Sequence, residues 1–356
     1  MWASAAVGSV PGARGSRCHG GRVPGDRAPA GAAGVLPDVQ GGDALTRWAF
    51  GVVALLVAAC APRAPAPSNL RVVASFYPLA ELVREVGGSR VEVRQLVPPG
   101  AEPHDYEPTP GDVAKLREAR VFVYNGAGFE PWVEKLAAEL PPDAVRVEAT
   151  RGLPLVEAQG GEPDHEHDEK KTGQGSKEDA RRLDPHVWLD PVLAQDMVDH
   201  VTDGLVRADA EGGPEYRERA AALKRRLEDL HHRYERALAR CRTKVVLTSH
   251  AAFGYLARRY GLRLVSVAGV SPEAEPSPRR VRELVALARR EGVRAVFAES
   301  AAGDRAVRAL AGELGVPVLR LDPLERGPEE AGRRGTSYLS VMERNLENLV
   351  QGLGCP

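Results

Sequence analysis

No two cysteines in this chain stand in CxxC spacing: Cys18, Cys60, Cys241 and Cys355 are scattered along 356 residues. Neither a thiolate zinc site nor a thioredoxin-type redox motif is therefore written here, and any metal site must draw on nitrogen and oxygen ligands. Excess charge is also missing. A formal net charge of −1 gives no general pull toward nucleic acid or an anionic surface. HExxH and GxSxG are absent, and no clear general base adjoins any candidate ligand, which speaks against a hydrolase. The apolar run after Arg47, WAFGVVALLVAAC, is too short to cross a bilayer comfortably as a mature helix.

That run reads instead as an export signal ending in small residues before Cys60. The tetrapeptide Val57-Ala58-Ala59-Cys60 resembles the bacterial lipobox, which implies cleavage before Cys60 and a lipid on its thiol. The spacer APRAPAPSN follows, as suits a flexible tether. Residues 1–44 are aperiodic Gly, Ala, Arg, Pro and Val with nothing to bury, and they precede a signal that belongs at an N-terminus. The expectation is a wrongly assigned start over 1–44, a lipoprotein signal over 45–59 and a tether over 60–69.

From Leu70 short apolar strands alternate with amphipathic helices: LRVVASF, LAELVREVGG, VEVRQLV, TPGDVAKLREA and RVFVYNGAG in the first half. TKVVLTS, FGYLARRYG, LRLVSVAG, SPRRVRELVALARREG, VRAVFAES, DRAVRALAGELG and VPVLRLD repeat the texture in the second. The predicted class is α/β, with two lobes that each carry a mainly parallel sheet flanked by helices. Boundaries fall at 70–207 and 241–356, with a polar, Gly-rich loop over 157–182 holding His165 and His167 among acids. Between the lobes, 208–240 includes an uninterrupted helical stretch from Pro214 with apolar Ala221, Leu223, Leu227, Leu230, Tyr234 and Leu238. It reads as a rigid connecting helix.

Three histidines sit in three separate settings: GAEPHDYEPTP around His104, LDPHVWLDP around His186 and TSHAAFGYLARRYGL around His250. Each lies at a Pro-flanked loop or a strand end, where ligands gather in open α/β sheets. VPVLRLDPL adds a carboxylate at Asp322. Three imidazoles and one carboxylate suit zinc better than manganese, which prefers oxygen. The other histidines read as structural: His19 in the doubtful leader, His200 on a helix face, and His231 and His232 adjacent on the linker helix, pointing in different directions.

GAEPHDYEPTPGD, DPHVWLDP, TSHAAFGYLARRYGL, AGVSPEAEPSPRR, VFAES and LDPL, in this order, resemble the metal-binding solute receptors of bacterial ABC importers for zinc and manganese. The likeness covers nearly everything from Leu70 onward. It implies two α/β lobes joined by one long helix, a single metal at their interface and delivery to an ABC permease. It implies ligation by His104, His186, His250 and Asp322, and the histidine at 250 places the chain in the zinc-binding subgroup. Glu102, Glu275 and Glu299 are candidates for holding a loop or an imidazole tautomer, and Asp190 for a turn or helix cap. His165 and His167 are candidates for an auxiliary metal loop.

Cys241 and Cys355 form an even pair that an extracytoplasmic compartment lets bridge. The expected protein is not an enzyme. It is a monomeric, lipid-anchored extracytoplasmic receptor for Zn2+. A manganese or iron receptor of the same fold, a secreted mononuclear zinc hydrolase and a surface adhesin are the alternatives.

Overall fold

The computed structural model describes residues 69–158, 183–268, 277–299, 305–327 and 336–356. The expected leader, signal, Cys60 and tether up to residue 68, the loop carrying His165 and His167, and Glu275 lie outside the described residues.

The first lobe runs β1 (Leu70–Ala74), α1 (Tyr77–Gly87), β2 (Val91–Gln95), α2 (Pro110–Arg117), β3 (Val121–Tyr124), α3 (Val133–Ala137), β4 (Val145–Glu148) and α4 (Pro191–Ala208). Then α5 (Gly213–Leu238) crosses to the second lobe. That lobe consists of β5 (Val245–Thr248), α6 (Gly254–Arg259), β6 (Arg263–Ser266), α7 (Pro278–Arg290), β7 (Val296–Ala298), α8 (Arg305–Leu314), β8 (Val318–Arg320) and α9 (Tyr338–Leu353). The alternation read from sequence omits β4, α3, α4 and α9. The first two are short, and the helices lack a bounding strand that would have announced them.

Both sheets are four-stranded and wholly parallel, ordered β2-β1-β3-β4 and β6-β5-β7-β8. Val72, Val73 and Ala74 are buried, as are Val121, Phe122 and Val123 and all four residues of β5. Continuous apolar burial of this kind is what helices on both faces of a parallel sheet require. In each lobe the order reverses at the first strand, which has the second strand on one side and the third on the other. The crevice beyond the strand ends at that reversal is where an open α/β sheet accepts a ligand.

Helix α5 is 26 residues long, about 39 Å at roughly 1.5 Å per residue. Its buried positions Tyr216, Ala220, Leu223, Leu227, Leu230, Tyr234 and Leu238 advance by threes and fours, a continuous stripe along one face. Ala220 is buried and Ala221 exposed, so the stripe read from sequence was one residue out at its start. One apolar cluster includes the first lobe, α5, α6 and α9, and a smaller one lies under β5, β7 and β8 with α7 and α8. The lobes are also stitched polar-side. Trp188 Nε1 donates to the Pro323 carbonyl at 2.8 Å, and Gly100 N to the Arg326 carbonyl at 2.7 Å. The Tyr338 hydroxyl donates to the Trp188 carbonyl. A disulfide joins Cys241, just past α5, to Cys355, just past α9.

Candidate metal centre

Four loops bring ligand-type side chains to the crevice between the lobes. His104 lies between β2 and α2, on a segment fixed at both ends. Trp132 Nε1 donates to the Pro103 carbonyl at 3.4 Å, and the Tyr106 hydroxyl donates to Asp112 Oδ2 at 2.7 Å. Asp112 also closes a capping box with Thr109 at the start of α2. His186 opens a single 3-10 turn, Val187–Leu189, and is fully buried. His250 follows β5, its carbonyl accepting from Thr248 Oγ1 at 2.7 Å.

The carboxylate that joins these imidazoles is Glu325, not Asp322. His104, His186, His250 and Glu325 each offer a ligand atom, all within 4.8 Å of one another. Glu325 Oε1 lies 3.9 Å from His104 Nε2, 2.9 Å from His186 Nε2 and 3.3 Å from His250 Nε2. Asp322 is spent on the turn that delivers Glu325. Its Oδ1 accepts from Leu324 N at 2.8 Å, its Oδ2 takes Arg320 at 2.9 Å, and Asn345 clasps its backbone on both sides. Leu324, fully buried, adopts a left-handed φ of 65°, and this reversal folds the chain past β8 back toward the histidines. A branched residue there costs of order 1 kcal/mol of backbone strain. The sequence places the carboxylate after the last strand at Asp322, whereas the one standing among the imidazoles is three residues further on.

Two carboxylates, buried Asp184 and partly buried Glu299, fix two of the imidazoles. Asp184 Oδ1 lies 2.7 Å from His186 Nδ1 and also accepts the His186 amide at 3.0 Å. Glu299, past β7, contacts His250 Nδ1 and accepts the His250 amide at 3.1 Å. With Nδ1 engaged, Nε2 is the nitrogen that each ring turns toward Glu325. A carboxylate holding a ligating histidine in this way sets its tautomer and strengthens its basicity. Asp184 was overlooked in the sequence, although it stands two residues before His186 in LDPHVWLDP. Glu102 pairs with Arg326 at 2.8 Å while accepting the His104 amide at 3.3 Å. Asp190 caps α4, accepting Val192 N at 2.9 Å, and pairs with Arg259 at 2.8 Å.

A second overlooked carboxylate, Glu130, repeats the Glu299 device in the first lobe. It is buried and accepts from Ser75 Oγ at 2.6 Å, Asn125 N at 2.8 Å and Gly126 N at 3.1 Å. Glu299 likewise takes the Ser249 hydroxyl, at 2.5 Å, just beyond β5. Each acid thereby ties the end of its lobe's first strand to that of the third, at the point where sheet order reverses. The residue beside Glu130, Phe129, sets its ring 4.6 Å from His104 and 6.1 Å from His186.

Electrostatics follow the geometry. Burial works to raise the Glu325 pKa, but His250, His104 and His186 outweigh it and hold the carboxyl well below its usual range. Burial likewise depresses the imidazoles, yet Asp184 and Glu325 leave His186 raised, and Glu299 and Glu325 leave His250 well above the ordinary value. Asp322 is raised, chiefly by burial.

The donors fit a zinc-type ion. Tetrahedral bonds of roughly 2.0–2.1 Å place ligand atoms about 3.3–3.4 Å apart, and the three Nε2–Oε1 separations bracket that value. The Nε2 atoms of His104 and His186 are buried and make no well-directed hydrogen bond, although Glu325 Oε1 lies 2.9 Å from the latter. Buried polar nitrogens are seldom left so, and both stand at the centre of the cluster.

Residues 72–352 match the family described as zinc-uptake complex component A, periplasmic, or ZnuA. The chain is 36% identical over 306 residues to the high-affinity zinc uptake system protein ZnuA of Bacillus subtilis, covering 84% of this chain and 94% of that one. It is 36% identical over 298 residues to the zinc-binding lipoprotein AdcA of Streptococcus pneumoniae, of which it spans only 58%. A crystal structure of the Zn(II)-bound ZnuA-like domain of AdcA superimposes with a TM-score of 0.66 at 35% identity, over 80% of this chain and 99% of that domain. Two parallel-sheet lobes, three converging histidines and a match over most of the folded chain lead to one conclusion: this protein belongs to the ZnuA family.

Proposed function

We propose that this protein is an extracytoplasmic receptor that captures one Zn2+ ion between its lobes and passes it to an ABC-type importer, and that it is not an enzyme. The observation that carries the reading is the buried group of three histidines and one carboxylate whose ligand atoms all lie within 4.8 Å of one another. His104, His186, His250 and Glu325 would hold the ion. That nitrogen-rich set favours zinc over manganese, and four protein ligands leave no open position of the kind a hydrolytic zinc needs. Family membership and the zinc-binding relatives support the same cargo. Cys60 is proposed as the lipid anchor to the outer face of the cell membrane, and the receptor as a monomer.

Competition of purified protein for Zn2+, Mn2+ and Fe2+ tests this. One equivalent of zinc retained against excess manganese, and lost in His186→Ala, is the expected result; preference for manganese would overturn the assignment of cargo. A membrane-fraction assay of Cys60→Ser separately tests the anchor, which should be lost.

A further inference from the structure

The described residues contain a second group of ligand-type atoms, remote from the lobe interface in sequence and on the surface of α5. Glu228, His231 and His232 each offer one atom, all within 4.8 Å of one another. We propose that they form a second, weaker zinc site on the linker helix. The proposal stands apart from the interlobe centre and does not depend on it.

The spacing is i, i+3, i+4, which sets the three side chains on neighbouring ridges of one helix face. Adjacent residues diverge by about 100° around a helix axis. His231 and His232 nevertheless bring their ring centroids to 5.2 Å, tilted by 37°. Leu227, Leu230 and Tyr234 are buried along the adjoining face of α5, so the backbone bearing these groups is held in place.

Partners from both lobes orient two of the three groups. His231 Nδ1 lies 3.2 Å from the hydroxyl of Tyr260, the residue after α6, which leaves Nε2 as the nitrogen to ligate. Glu228 Oε2 accepts from Gln195 Nε2 of α4 at 2.8 Å, and Glu228 Oε1 lies 3.3 Å from His232 Nε2. Glu235 adds a carboxylate 3.4 Å from His232 Nδ1.

Solvated ion pairing on a helix is the competing account. Against it, three cations on this stretch of α5 are engaged with other acids and not with Glu228: Lys224, Arg226 and Arg233 are directed to Asp199, Glu85 and Glu343. Two imidazoles and a carboxylate match the donor preference of zinc, and the remaining positions would go to water. Such an exposed, incomplete shell, with His232 at 48% side-chain exposure, binds weakly and exchanges quickly.

Zinc titration of full-chain protein already holding one equivalent provides the test, in a His165→Gln/His167→Gln background that removes the loop imidazoles. A second equivalent should bind at least tenfold more weakly than the first. It should vanish in His231→Gln/His232→Gln while the first equivalent is unchanged, and Tyr260→Phe should weaken it roughly tenfold through the loss of orientation. Circular dichroism of each variant checks the fold. A second equivalent that survives in His231→Gln/His232→Gln overturns the proposal, as does its absence from the parent, and neither result touches the interlobe site.

Discussion

At the scale of single residues, the decisive distinction is between Asp322 and Glu325. Both are carboxylates beyond β8, but Asp322 shapes the turn and Glu325 faces the histidines. Glu325→Ala should weaken zinc binding by two orders of magnitude or more, on the order of 3 kcal/mol, since it removes a charged ligand from a buried site. Asp322→Ala should cost less and act through the turn, leaving the stoichiometry at one. Competition with a chromophoric chelator reads both, and equal losses in the two variants would show that Asp322 ligates. In the same series Asp184→Asn should lower affinity about 10–100-fold by releasing His186 from its fixed tautomer.

At the scale of elements, helix α2 is worth examining because its cap is also part of the His104 loop. Asp112 accepts from Thr109, Tyr106 and Lys115, and these bonds, working against burial, lower its pKa to about 2. An acid with a depressed folded pKa stabilises the fold above its unfolded value of about 4, and that contribution fades as pH falls through the folded one. Asp112→Ala should therefore cost about 1 kcal/mol in urea melts near neutrality, a typical loss for a broken cap. Wild type and variant should converge toward pH 2. A difference that stays constant with pH would place the effect in packing and not in the charge.

At the scale of the whole molecule, α5 with its buried stripe joins the lobes, and the Cys241–Cys355 bridge closes the second lobe on itself across 114 residues of chain. Removing a native bridge typically costs roughly 2–5 kcal/mol. Cys241→Ser/Cys355→Ser should show a loss in that range by equilibrium unfolding, with zinc stoichiometry intact; unchanged stability would mean that the thiols are not bridged in solution. Proton competition also acts on the assembled site. Because the His186 and His250 pKa values are raised by their carboxylate partners, zinc affinity should start to fall at a higher pH than ordinary imidazoles would dictate, and continue falling as the medium acidifies. Isothermal titration across neutral and mildly acidic pH checks the slope, and a flat profile would count against imidazole ligation.

Strand-helix alternation, the linker and the three histidines at strand ends could all be read along the chain, because each rests on local periodicity or on a Pro-bounded loop. Continuous apolar runs such as VVA and VVLT commit those segments to buried parallel strands whatever their neighbours do. The identity of the fourth donor could not be read in this way. A left-handed turn at Leu324 decides whether Asp322 or Glu325 reaches the imidazoles, and a leucine carries no local signal for that conformation. Glu130 and the pairing of His231 with Tyr260 were hidden because their partners stand 55 and 29 residues away, and only the packed lobes define which atoms meet. The chain alone thus determined the fold class and the kind of ion its histidines suit, through periodicity and donor chemistry. Tertiary structure decided which carboxylate stands among the imidazoles and which groups orient them, because those depend on turn handedness and on contacts between loops.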